Sequence, residues 1–187
     1  MVHAKGSTLH TTMDFVRADK GEETLKSVLA RLPEDQRKQI TSPRPTDEVP
    51  FDLVLALWHA VDEQLAATDP DWIERSGAHS IESMGVKLYS GILRKSSPVE
   101  FLTQRISLFR LYYHPGDMEV VEAEDGHAIL RLVDFDQPDR LFCRRQTGGL
   151  QRALAEAGGQ QPKTSHVRCV VEGDAFCEWE LQWQSPP

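Results

Sequence analysis

The chain has 187 residues, 40% of them hydrophobic, which is enough for one well-filled core, and we expect a single domain over residues 1–187. Its formal net charge of −8 argues against nucleic acid as a partner, because nucleic-acid binders concentrate Lys and Arg on one face. There is no apolar run long enough for a membrane span, no apolar leader, and an odd number of cysteines, so we expect a cytoplasmic protein.

Apolar residues at helical spacing predict a helical layer over about residues 5–114. Gly21 separates the first two short helices, and Pro33 ends the second. The predicted segments of this part are helices at 9–16, 25–32 and 51–68, a proline-rich loop at 41–50, and an apolar stripe from Ile81 to Ile92.

The segment Ser97-Pro98-Val99-Glu100 has the pattern of a helix start. Ser at the N-cap, Pro at the first helical position and Glu at the third predict a helix that begins at Pro98 and continues to Tyr113. His114-Pro115 ends it, because proline cannot donate the helical hydrogen bond and disfavours a helical residue before it.

From residue 117 to 184 the hydrophobic period changes to two and predicts a sheet. We expect a hairpin of 118–124 with 127–133 around Asp125-Gly126, a helix at 138–157, and a second hairpin of 164–171 with 175–183 around residues 172–174. The fold class is therefore α+β, with a helical N-terminal layer packed on an antiparallel sheet built as hairpin, helix, hairpin.

All three cysteines lie in the last quarter of the chain, in the order Cys143-x22-His166-x2-Cys169-x7-Cys177. Three thiolates and one imidazole are a ligand set for tetrahedral zinc, although the long first gap matches no standard zinc finger. Buried cysteines that only fill a core are the equal alternative. A three-residue loop would place Cys169 opposite Cys177, whereas His166 points to the other sheet face unless a bulge turns it.

Aromatic residues of the helical part are candidates for the lining of an apolar ligand pocket, although aromatics on helical stripes more often belong to the core. The candidate residues are Trp58, Tyr89, Phe109, Tyr112 and Tyr113. The sequence contains no phosphate-binding loop, nucleophile elbow, metalloprotease helix or dinucleotide fingerprint. We therefore predict that the protein is not an enzyme.

The segment His166-Val-Arg-Cys169-Val-Val-Glu-Gly173-Asp174-Ala-Phe-Cys177-Glu-Trp179 resembles the closing motif of 4-vinyl reductase domains. Over nearly its whole length, including Gly85, Ser97-Pro98 and Tyr112-Tyr113, the chain resembles a myxobacterial paralogous family of unknown function. The resemblance implies a fold shared with haem-nitric-oxide sensor domains and vesicle-tethering TRAPP subunits, often dimeric, with an apolar cavity between helices and sheet.

The same resemblance favours zinc as a structural cofactor. In phenol-sensing activators that carry this domain, zinc is held at positions matching Cys143, Cys169 and Cys177, with a glutamate where this chain has His166. The predicted function is a non-enzymatic, zinc-stabilised, homodimeric sensor or adaptor that binds a small apolar ligand and signals to another protein. The alternatives are an interaction module without ligand and a tetrapyrrole-metabolism enzyme.

Overall fold

The computed structural model describes residues 1–85, 97–105 and 109–184. Helices form most of the first part of the chain, and a π turn at Ile81–Gly85 directly follows the fifth helix. The helices are α1 (Ser7–Lys20), α2 (Glu22–Arg31), α3 (Glu34–Thr41), α4 (Phe51–Leu65), α5 (Trp72–Ser80), α6 (Pro98–Arg105), α7 (Phe109–Tyr112) and α8 (Arg140–Glu156).

The described strands form two antiparallel sheets. A small sheet has the order β2-β1-β3, and a four-stranded sheet has the order β4-β5-β7-β6. The strands are β1 (His3–Lys5), β2 (Glu48–Pro50), β3 (Tyr113–His114), β4 (Asp117–Glu124), β5 (His127–Val133), β6 (Gln160–Arg168) and β7 (Cys177–Gln184). The predicted α+β class, with helices beside an antiparallel sheet, is confirmed.

Several local predictions are confirmed at particular residues. Gly21 separates α1 from α2 with a φ of 88°, which side chains other than glycine rarely adopt. Helix α6 begins at Pro98, and the Ser97 hydroxyl accepts a hydrogen bond from the Glu100 amide at 3.2 Å. Glu124 pairs with His127, so the first hairpin turns on two residues, with Gly126 at a φ of 86°.

The small sheet and helix α3 were not predicted. Residues 48–50 were expected to be loop and Tyr113 helical, but both segments pair with the N-terminal strand, Ala4 lying opposite Val49 and Tyr113. A strand of two or three residues is too short to show a period of two, and its partners are more than 40 residues away. The predicted stripe beyond Gly85, including Tyr89, lies outside the described residues.

The predicted register of the second hairpin holds only next to the turn. Arg168 pairs with Glu178, which gives the even sum that the prediction requires, whereas His166 pairs with Trp179 and Thr164 with Leu181, which give odd sums. A bulge between His166 and Arg168 shifts the register by one residue, and Cys169 leads into a tight turn at Val170–Glu172 instead of a strand.

Helices α5 and α8 meet backbone to backbone at glycines. A β-carbon added at Gly77 would lie 2.1 Å from the Arg145 carbonyl oxygen, and one at Gly148 would lie 1.9 Å from the Glu74 carbonyl oxygen. Only glycine permits this approach. The contact places α8 between α5 and the four-stranded sheet, whose Trp179 indole donates a hydrogen bond to the Thr147 hydroxyl at 2.9 Å.

Among the helices that the structure describes, none combines the length and apolar character that a bilayer crossing requires.

Candidate functional site

The three cysteines and His166 come together where α8 meets the four-stranded sheet. Cys143 lies in the first turn of α8, and Asp139 caps that turn by accepting a hydrogen bond from the Leu141 amide at 2.7 Å. Cys177 begins β7. All three thiols are buried and free, and the ligand atoms of the four residues lie within 4.8 Å of one another. The residues that the sequence singled out are therefore neighbours in space.

A tight turn presents Cys169 to this cluster. The Asp174 carboxylate accepts a hydrogen bond from the Cys169 amide at 2.8 Å, and the Glu172 and Asp174 amides donate to the Cys169 carbonyl at 3.0 Å each. Gly173 completes the turn in the left-handed region, at a φ of 99°. The motif Cys-x3-Gly-Asp is thus a structural unit that fixes one thiol.

The bulge in β6 brings His166 to the inner face, as the sequence analysis required for its participation. Its ring stacks on Trp179 at a centroid distance of 4.6 Å. The buried Nε2 atom has no hydrogen-bond partner among the described residues. One nitrogen of this imidazole lies near the three thiols, where it can act as a ligand or share a proton.

The electrostatics of the cluster favour one shared thiolate. The Cys143 Sγ lies 3.7 Å from the Cys177 Sγ, and the Val170 amide donates to Cys177 at 3.4 Å. The hydrogen bond from Cys143 lowers the pKa of Cys177 to about 4, against the opposing effect of burial and with help from the nearby His166 imidazole. The same pairing with Cys177 raises the pKa of Cys143, and burial raises that of Cys169. A thiolate beside two thiols and an imidazole can ligate a soft metal ion.

Of the predicted pocket residues, Tyr112 and Tyr113 line a small cleft, and Trp58, Phe109 and Tyr113 belong to an aromatic cluster. Phe51 joins Trp58 and Tyr113 at centroid distances of 5.9 and 5.8 Å, and Phe109 lies 5.1 Å from Tyr113. Tyr112 is half-buried at the margin of this cluster. The described residues around Tyr112 and Tyr113 line a cleft of about 10 Å³, close to the minimum for one water molecule.

The sequence analysis missed Arg145. Its side chain is only 6% exposed, its Nη2 donates to the Thr11 hydroxyl at 3.3 Å, and its guanidinium lies 5.3 Å from the Trp58 ring centroid. Burial lowers the pKa of Arg145. The available signal was helical spacing, since Arg145 follows Leu141 by four residues and Phe142 by three and therefore lies on the apolar stripe of α8.

Solved structures share this fold over nearly the whole chain. An H-NOX protein mutant from K. algicida, described as Fe(II) and unliganded, matches with a TM-score of 0.72 and 12% identity, covering 97% of each chain. An H-NOX protein from S. oneidensis in the Fe(II)NO state matches with a TM-score of 0.71 and 17% identity, covering 97% of this chain and 99% of that chain. At such identities the likeness shows the fold alone.

A third structure is the NMR structure of a mutant H-NOX domain from Shewanella oneidensis in the Fe(II)CO state. It matches with a TM-score of 0.73 and 17% identity, covering 97% of this chain and 99% of that chain. No family model matches the chain, and no curated protein matches it. The predicted likeness to haem-nitric-oxide-binding folds is confirmed, and the narrower likeness to 4-vinyl reductase domains and the myxobacterial family is unsupported.

The prediction of zinc as cofactor is wrong. It rested on the ligand types of Cys143, His166, Cys169 and Cys177, but the proteins that share the fold are described as Fe(II) proteins. Ligand types alone do not identify a metal, because three thiols and an imidazole suit several soft or borderline ions.

The described residues do not fit a haem. A haem iron needs an axial side-chain ligand, most often histidine or cysteine. All seven histidines of the chain are described, and the rings of four of them contact other residues outside the cysteine cluster. His10 bonds to the Pro43 carbonyl, His59 to Asp139 and His127 to Glu180, while His79 packs on Phe15. His3 and His114 lie in the small sheet, and His166 and the cysteines form the cluster.

Proposed function

We propose that this protein is a non-enzymatic sensor domain that binds a small organic ligand in its helical layer. The observation that carries the proposal is the fold match over 97% of the chain to proteins described in NO-ligated and CO-ligated states. Because the described residues do not fit a haem, the ligand here is bound by side chains directly. Trp58, Phe109 and Tyr113 supply the apolar surface for it.

Thermal denaturation of the purified protein with a panel of small aromatic and aliphatic compounds tests this proposal. A ligand that binds the folded state raises the melting temperature by mass action. We expect at least one compound class to stabilise the protein, and Phe109→Ala to weaken that effect more than Leu111→Ala, since Leu111 is exposed. A panel that leaves the melting temperature unchanged contradicts the proposal.

The second candidate is a protein-interaction module without ligand. The close packing of the aromatic cluster favours it, since Phe135 stacks on Phe142 at a centroid distance of 4.5 Å. Assembly as a homodimer is part of both proposals. Light scattering that gives one subunit mass at every concentration would contradict the dimer.

The four cluster residues remain a proposal for a metal-ligand set, with no element assigned. Support comes from the 4.8 Å limit on their ligand atoms and from the unpartnered Nε2 of His166. Titration with Co²⁺ should produce thiolate-to-metal absorption in the wild type and lose it in Cys177→Ala, while the distant control His79→Ala keeps it. No absorption in the wild type would leave the three cysteines as core residues.

A further inference from the structure

Arg145 is a buried cation without an acidic partner. The chain has 29 Asp and Glu residues, and none of them lies in the segments 86–96, 106–108 and 185–187, so every acidic side chain belongs to the described residues. No ion pair of those residues includes Arg145. Its hydrogen bond to Thr11 and its contact with Trp58 are both with neutral groups, and its Nε has no partner among the described atoms.

Glu178, a buried acid of the same protein, has the counter-ions that a buried charge normally requires. Glu178 is 6% exposed, as Arg145 is, and it accepts two hydrogen bonds from Arg131, at 2.7 and 3.1 Å. Arg168 lies 3.6 Å from its other oxygen. A buried charge normally requires such compensation, because removing it from water is costly. Arg145 lacks the counter-ion that Glu178 has.

The described groups in contact with Arg145 are neutral, and they are a hydroxyl and an aromatic ring. The Trp58 indole donates to the Thr12 hydroxyl at 3.0 Å, and Thr11 and Thr12 donate to the Thr8 carbonyl, so these groups are occupied. In the same helical layer the buried Ser76 hydroxyl has no partner among the described residues. One turn before Arg145, Phe142 continues into the aromatic cluster with Phe51 and Tyr113.

We propose that Arg145 is the recognition residue for a monoanionic carboxylate ligand with an apolar body. This inference rests on the proposed sensor function and names its ligand class. The planar guanidinium matches a carboxylate through paired hydrogen bonds, and one buried cation balances one negative charge. The aromatic cluster next to it suits an apolar ligand body. The lowered pKa of Arg145 agrees with a cation that lacks its counter-ion.

The test compares carboxylates with their neutral amides by thermal denaturation and calorimetry on the full chain. The probes are acetate, butyrate, benzoate and decanoate, each beside its amide, with sodium chloride at equal ionic strength. We expect at least one carboxylate to raise the melting temperature and its amide not to. Arg145→Gln should lose affinity for that carboxylate about tenfold or more, while Arg145→Lys retains part of it. Arg140→Gln is the matched control, since Arg140 is an exposed residue of the same helix.

A second readout separates recognition from a structural role. If Arg145 awaits an anion, Arg145→Gln should leave the melting temperature of the ligand-free protein unchanged or raise it, because an unpaired buried charge is removed. A large loss of stability in Arg145→Gln together with unchanged carboxylate binding would overturn the inference. So would equal effects of chloride and carboxylate.

The failure of this inference can be told apart from failure of the sensor proposal. Amides that bind as well as carboxylates, in the wild type and in Arg145→Gln, would overturn carboxylate recognition while the sensor function stands. Absence of any stabilisation by these probes, with a neutral compound retained by the purified protein in a native mass spectrum, would do the same. If no probe stabilises the protein and no compound is retained in the native mass spectrum, the inference and the sensor proposal are both overturned.

Discussion

Two regions meet at helix α8, and they differ in whether their buried polar groups have hydrogen-bond or ion-pair partners. On one side, Cys143 meets a cluster whose members approach one another and whose turn is completed by Asp174 and Gly173. On the other side, Arg145 enters an aromatic and hydroxyl-rich layer in which no acid faces it. In the first region the polar groups of the turn satisfy one another. In the second region Arg145 has no counter-ion, and an anionic ligand can supply one.

The largest effect is expected where α8 contacts α5 on the helical side. Gly148→Ala places a β-carbon 1.9 Å from the Glu74 carbonyl oxygen, so the two helices must separate, and we expect a loss of about 3 kcal/mol in the free energy of unfolding. Chemical denaturation measures it. Gly149→Ala is the control, because its nearest neighbour lies at an ordinary 3.6 Å. Equal stability of both variants would show that this contact does not determine the position of α8.

On the cluster side, the turn that presents Cys169 should depend on one carboxylate. Asp174→Ala removes the acceptor of the Cys169 amide and should lower the free energy of unfolding by about 1–3 kcal/mol, the cost of an unsatisfied buried donor. Glu172→Ala in the same turn serves as control, since its exposed side chain makes only one ion pair among the described residues, with Arg140 at 4.0 Å. If both variants melt alike, the turn is held by its backbone bonds alone.

The start of α8 provides a smaller test of the same side. Asp139→Ala removes the helix cap that accepts from the Leu141 amide, and a loss of about 1 kcal/mol is expected. Thermal melting should show it, with the exposed Asp136→Ala as reference. A stability equal to that of the reference would mean that packing, and not the cap, fixes the first turn that carries Cys143.

The smallest effect is expected at the outer surface of the helical layer, where Arg75 joins α5 to α1. Its hydrogen bond lowers the pKa of Asp19 from the ordinary 3.8 to about 2. A lowered carboxyl pKa stabilises the fold above pH 3.8, and this stabilisation is lost as the pH falls towards 2. Asp19→Asn should therefore cost about 1 kcal/mol or less at neutral pH and nothing near pH 2. If Asp19→Asn remains less stable than the wild type near pH 2, the ion pair is not the cause of its lower stability.

The two regions also differ in how far the sequence predicted them. The cluster was predicted because a local motif, Cys-x3-Gly-Asp, fixes its turn, and the bulge at His166 was the stated condition for its joining. The strand register was predicted correctly only next to the turn, because the inserted residue at the bulge reverses the parity along the rest of the hairpin. Helices with clear starts, such as α6 at Pro98, were predicted well.

The second region was not predictable in the same way. Arg145 becomes notable only when Thr11 and Trp58, 134 and 87 residues away in sequence, are placed beside it. The small sheet joins residues near positions 4, 49 and 113 for the same reason. Pairings over such separations leave no local pattern in one sequence. The proposal that residues 1–187 form one domain stays a prediction as well.

The central claim is that the helical layer holds a small organic ligand, and a native mass spectrum of the purified full chain tests it most directly. The account predicts a population heavier than the chain by the mass of one small molecule, released on denaturation, and lost from Arg145→Gln but not from Arg140→Gln. A spectrum with the bare chain mass alone, unchanged after incubation with the carboxylates and amides, would contradict it.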